Sequence, residues 1–147
     1  MRARWALLLL LGAACKTSGT RTTDTRSSAL KSKALKLAFL KDYLGSPTEP
    51  QDVEFHVVFQ DHSGALFPTA DEYELQAGVK VPPDQVPRWA MGCTAARLEV
   101  RPAWVGPLLE GKTGFEVKSQ PDTFRCGREE RVIHVHEGVI LRQLKSE

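Results

Sequence analysis

The chain has 147 residues, with 20 Lys or Arg against 18 Asp or Glu, 41% apolar residues, three Cys and no Asn. That length suits a single domain, and without a Gly-X-Y period or sustained heptads the chain is neither collagen-like nor a coiled coil. Missing Asn also excludes N-glycosylation, because no acceptor sequon can exist.

Arg2 and Arg4 precede the apolar run Trp5–Leu11, which ends in Gly12-Ala13-Ala14-Cys15. A basic start, an apolar stretch and small residues make a secretory signal peptide, and the run falls short of the roughly 20 residues that span a bilayer. The segment resembles the lipobox of bacterial lipoproteins, in which the Cys becomes the lipidated N-terminus after cleavage. The resemblance covers residues 1–15, with Gly12 where that family usually has Leu. It implies a signal peptide over 1–14, lipidation at Cys15, export, and the membrane as a partner through that lipid. Lys16 stands where Asp would retain an enteric lipoprotein at the inner membrane, so the sorting rule points to the outer membrane, facing the periplasm or the cell surface. An ordinary exported protein cut before Cys15 is the other reading. Scarce Ile, at Ile133 and Ile140 only, fits a GC-rich bacterial composition.

From Lys16 to Ser28 the chain is rich in Thr, Ser, Gly and Arg and poor in apolar residues, which predicts a flexible basic stalk over 15–28. Lys16, Arg21, Arg26, Lys31, Lys33 and Lys36 face Asp24 alone, a local balance of +5, and residues 37–147 carry −5. A basic stalk would be drawn to anionic head groups or serve as a solvated tether. An acidic domain argues against nucleic acid, whose phosphates require clustered cations.

The domain is expected over 29–147. Leu30, Ala34, Leu37, Ala38 and Leu44, widened by Leu35, Phe39 and Leu40, are spaced for one long helix from Ser28 to Leu44, capped by Ser27 or Ser28 and ended by Gly45. The period then changes to two, first over Val53–Phe59 and next over Tyr73–Val81, whose other face carries Glu72, Glu74, Gln76 and Lys80. Asp61-His62-Ser63-Gly64 turns the chain between them. Pro82-Pro83 opens a short helix near 83–92 that places Val86, Trp89, Ala90 and Cys93 on one side, with Trp89 in the core. Ala96–Trp104 alternates as a further strand, Phe115 and Val117 mark a shorter one, and Val132–His136 with Val139–Leu144 form a closing hairpin. The expected fold is α+β: one long N-terminal helix packed on an antiparallel sheet of five or six strands.

Cys93 and Cys126 are the two thiols left after Cys15, and in an exported chain an even pair reads as a disulfide. No Cys-x-x-Cys spacing suggests a redox pair. His134 and His136, at i and i+2, point to one face of their strand, and His56 lies on the polar side of its own. Were those strands adjacent, the three imidazoles with Glu54 would suit Zn²⁺ or Cu²⁺; plain surface is the competing reading. Nucleophile and nucleotide-binding motifs are missing, so no enzyme and no cofactor are expected. The sequence thus predicts a cell-envelope lipoprotein with a structural or protein-interaction role and an envelope protein as possible partner, the alternative being a periplasmic metal- or small-ligand-binding module.

Overall fold

Alternating apolar residues build the centre of the molecule. In the computed structural model, which describes residues 19–41, 43–66 and 70–146, Val53, Phe55 and Val57 of one strand lie beside Val79, Ala77 and Leu75 of the next, all buried. The signal segment, Cys15 and the first residues of the expected stalk lie outside the described residues. The elements in chain order are β1 (Arg21–Arg26), α1 (Lys33–Lys41), β2 (Asp52–Asp61), β3 (Glu72–Lys80), a 3-10 helix (Pro83–Trp89), β4 (Thr94–Ala95), α2 (Val105–Leu109), β5 (Asp122–Cys126), β6 (Glu129–His134) and β7 (Val139–Lys145). A 3-10 turn, Ser27–Ala29, joins β1 to the approach of α1. All seven strands form one antiparallel sheet in the order β1-β2-β3-β7-β6-β5-β4.

This architecture corrects the expected α+β arrangement. Among the described residues there is no long helix: the apolar stripe from Ser28 to Leu44 is broken, because Ser27 turns the chain and Ser32 restarts it as a cap, its hydroxyl accepting the Leu35 N–H at 3.2 Å. Nor is the segment before it wholly a stalk. Arg21–Arg26 pairs in full with β2, from Arg21 opposite Asp61 to Arg26 opposite His56. An edge strand needs neighbours on one side only, so a nearly all-polar, exposed sequence can fill it. Two of the stalk's expected cations are thereby part of the sheet, and Lys36 reaches the buried Glu54 carboxylate. Ala96–Trp104 is not a strand either. Thr94 and Ala95 pair with β5 and Ala96 adds a last hydrogen bond to the Thr123 carbonyl, after which the chain leaves the edge and crosses the sheet to deliver Val105 and Leu109.

Register divides the sheet into two faces. On the α1 face, Val53, Phe55, Val57, Leu75, Ala77, Val79, Ile133 and Ile140 meet Leu40, Leu44, Val86 and Trp89, with Phe39 stacked on Phe55 at 5.1 Å between ring centroids. Trp89 is fully buried, as its helical spacing predicts. The same face carries charge. Glu129, Arg131 and Arg142 come from β6 and β7, Arg131 opposite Arg142, and Glu129 accepts hydrogen bonds from both guanidiniums. Burial pushes the Glu129 carboxyl up, but the bonds from Arg142 and Arg131 win and hold it below the usual carboxylate range. The Arg142 guanidinium lies 5.2 Å from the Trp89 ring centroid and that of Arg131 5.8 Å, so the indole roofs both cations. Arg131 also donates to the Trp89 carbonyl at 2.5 Å and Arg142 to the Gly45 carbonyl at 3.1 Å.

The α2 face is built by the crossing segment. Val105, Leu109 and Phe115 pack on Val132, Val139 and Leu141. Gly78 makes room for this: a Cβ there would stand 2.7 Å from a Leu109 methyl. At the end of the hairpin, Gly138 has φ +65°, and a Cβ on it would collide with the Val81 carbonyl. The disulfide between Cys93 and Cys126, with Cα atoms 4.4 Å apart, ties the segment after the 3-10 helix to the end of β5. Among the described residues no helix is long and apolar enough to cross a membrane.

Candidate functional site

The three histidines of the expected metal set do not meet. β2 and β6 are separated by β3 and β7, three strand spacings or about 14 Å. His56 Nε2 lies 2.8 Å from an Asp24 carboxylate oxygen of β1. His136 sits exposed in the β6–β7 turn, beyond the end of β6, so the strand that would have aligned it with His134 stops at that imidazole. Among the described residues no group of three or more His, Cys, Asp or Glu side chains is placed to hold a metal ion. The Zn²⁺ or Cu²⁺ site expected from His56, His134 and His136 is therefore not formed.

His134 belongs instead to a different constellation. It ends β6 on the α2 face and is 5% exposed. Its Nδ1 lies 3.0 Å from the Ser119 carbonyl oxygen. A carbonyl can only accept, so Nδ1 carries the proton and Nε2 is left as the acceptor nitrogen. Burial lowers the His134 pKa below its ordinary value, against the opposing pull of the Ser119 carbonyl and the Glu137 charge. At neutral pH the ring is neutral and its proton is fixed.

The loop that supplies Ser119 is itself clamped. Glu137, in the turn after β6, accepts the backbone N–H groups of Lys118 and Ser119 at 2.8 Å each on one oxygen and the Ser119 hydroxyl on the other. Those bonds, the hydroxyl foremost, bring its carboxyl down to about 2. The Glu137 carbonyl in turn accepts the Lys80 ammonium. Ser119, His134 and Glu137 have the side-chain types of a nucleophilic triad, but their wiring differs. The hydroxyl donates to the carboxylate and the imidazole donates to a backbone carbonyl, so the base on the serine hydroxyl is a carboxylate of pKa about 2, too weak to take its proton, and the imidazole is not aimed at it. The arrangement orients an imidazole; it does not activate a nucleophile.

Beside that imidazole runs a groove of about 540 Å³, within the size range of small-ligand clefts. Its floor is Val105, Leu109, Phe115 and Leu141, all buried, and two of its rim residues, Val100 and Val117, leave 49% and 37% of their surface exposed. Among the described residues Nε2 of His134 has no hydrogen-bond partner. A larger opening of about 690 Å³ lies along α1, between Leu37, Leu44, Thr48 and Val53. Among the described residues its ionisable lining is Lys41 and Glu49, and no buried side-chain atom there lacks a partner; it is the larger and the less charged in lining, and what sets the other groove apart is the His134 imidazole.

Of the other expected site residues, Cys93 and Cys126 are joined and Cys15 lies outside the described residues. The Asp61-His62-Ser63-Gly64 turn is held by turn chemistry, the Asp61 carboxylate accepting the Ser63 N–H at 2.8 Å. Sequence reasoning missed Ser119 and Glu137 and gave Phe115 a strand instead of a groove floor. The closing hairpin around Glu137 was legible; nothing local marks the Glu137 carboxylate as the anchor of a loop 18 residues earlier. No family model matches the chain, and neither a curated protein nor a solved structure matches it.

Proposed function

We propose that the chain is a bacterial cell-envelope lipoprotein whose folded domain acts by binding, without catalysis. The single observation that carries the anchored reading is the fate of the cysteines: Cys93 and Cys126 are consumed by a disulfide suited to an oxidising compartment, leaving Cys15 as the one thiol, at the end of an apolar leader. Within the envelope, the His134 groove favours a small-ligand-binding module over a purely structural role, because it offers a fixed acceptor above an apolar floor.

The test is labelling in a bacterial host with isotopic palmitate. The expected result is label on the wild-type chain, a mature N-terminus at Cys15, and retention in the membrane fraction, all lost in Cys15→Ser. A soluble, unlabelled wild-type chain would sink the anchored reading.

A further inference from the structure

We infer that the groove between α2 and the 110–121 loop is a binding site for a small apolar molecule bearing one hydroxyl, the hydroxyl donating to Nε2 of His134. The assignment deepens the binding reading above and is independent of Cys15. Its first support is the apolar floor of the site, beneath a rim where Val100 and Val117 stand among charged side chains such as Arg101, Lys112 and Glu116. Val100 and Val117 are two of the few large apolar side chains the described surface leaves exposed, and both line this groove over buried Leu109 and Phe115. An apolar ligand body would remove those side chains from water, which is the main driving force available in such a cleft.

The second support is polar and directional. The proton on Nδ1 is committed to the Ser119 carbonyl, so the open nitrogen accepts and cannot donate without ring protonation. A ligand carboxylate or carbonyl at that point would face a lone pair, whereas a hydroxyl meets it with a hydrogen. The Glu137 clamp on Lys118 and Ser119 keeps this geometry in place before any ligand arrives.

The probe is p-cresol, compared with toluene, which has the same shape without the hydroxyl. The protein is the full chain carrying Cys15→Ser and its intact disulfide, so that lipidation has no bearing on the result. Binding is read by isothermal titration and by the ¹⁵N resonances of the His134 imidazole. We expect p-cresol to bind about 3–10-fold tighter than toluene, the value of one neutral hydrogen bond, with the Nε2 resonance moving and Nδ1 still. His134→Phe should bind both probes alike, and the wild-type imidazole spectrum serves as a readout independent of that variant's folding. Equal binding of the two probes to the wild type would overturn the proposal, as would perturbations confined to the opening along α1. Binding of N-acetyl-tyrosinamide as tightly as p-cresol would reassign the site to a peptide side chain and overturn the small-molecule assignment.

Discussion

The two faces of the sheet bury polar groups in opposite ways. On the α1 face, Glu129, Arg131 and Arg142 turn their bonds on one another and on the carbonyls of Gly45 and Trp89, under an indole roof. On the α2 face, His134 commits one nitrogen inward and leaves the other toward a groove. The contrast separates a network bonded within the core from one that leaves an acceptor nitrogen without a partner among the described residues, and substitutions should affect them differently.

The largest effect should come from Glu129→Ala. It leaves two guanidiniums buried without their shared carboxylate, and removing one partner of such a set costs about 3–5 kcal/mol. Urea titration should show a lower midpoint with an unchanged slope. Reducing the disulfide should cost about 3–4 kcal/mol, from a sequence separation of 33 residues. The same titration in dithiothreitol measures it, and a midpoint equal to that of the oxidised chain would contradict it.

Gly78→Ala should cost about 1 kcal/mol, because its methyl displaces the flexible end of Leu109. Its effect on ligand affinity should exceed its effect on stability, since Leu109 floors the groove. A large loss of stability with unchanged binding would show that α2 belongs to the core rather than to the site.

The smallest effects concern protons. His134 has a folded pKa below its unfolded value, so the unfolded chain takes up the proton first as pH falls. Stability is therefore full above about 6.5 and declines below it; His134→Phe should flatten that part of a melting-temperature profile. Glu137, held at about 2, adds stability that is present above its ordinary value of 4.5 and lost between there and about 2. Glu137→Gln should flatten that lower window and, by removing a charge that holds the His134 pKa up, deepen the higher one.

The sheet's interior strands were legible because their periodicity records burial on one side. β2, β3 and the β6–β7 hairpin follow their apolar alternation, and Trp89 follows its helical spacing. β1 was hidden because an edge strand of Arg, Thr and Asp has no alternation to display. The long helix failed for a related reason: a continuous apolar stripe reports which residues are buried, and Leu30 does pack on the core, but it cannot report that Ser27 and Ser32 break the backbone. At the site, sequence reasoning singled out His134 for its partnership with His136 and His56. Its true partner is Ser119, 15 residues away on an irregular loop that no period marks.

The early start of the sheet has a geometric consequence. Thr20 is hydrogen-bonded to His62 at 3.0 Å, and Gly19 lies against Gly64, so the described chain begins beside the β2–β3 turn. Only four residue steps separate Gly19 from Cys15, a leash of at most about 14 Å. The groove lies toward the other end of the strands: His134 is paired with Val139, which is itself beside Lys80, eight residues from Glu72 or about 27 Å along β3. With a lipid on Cys15, the leash would hold one end of the molecule at the bilayer and turn the binding end outward. The reservoir feeding the groove would then be the surrounding aqueous compartment, and its ligands would be solutes in transit rather than components of the membrane.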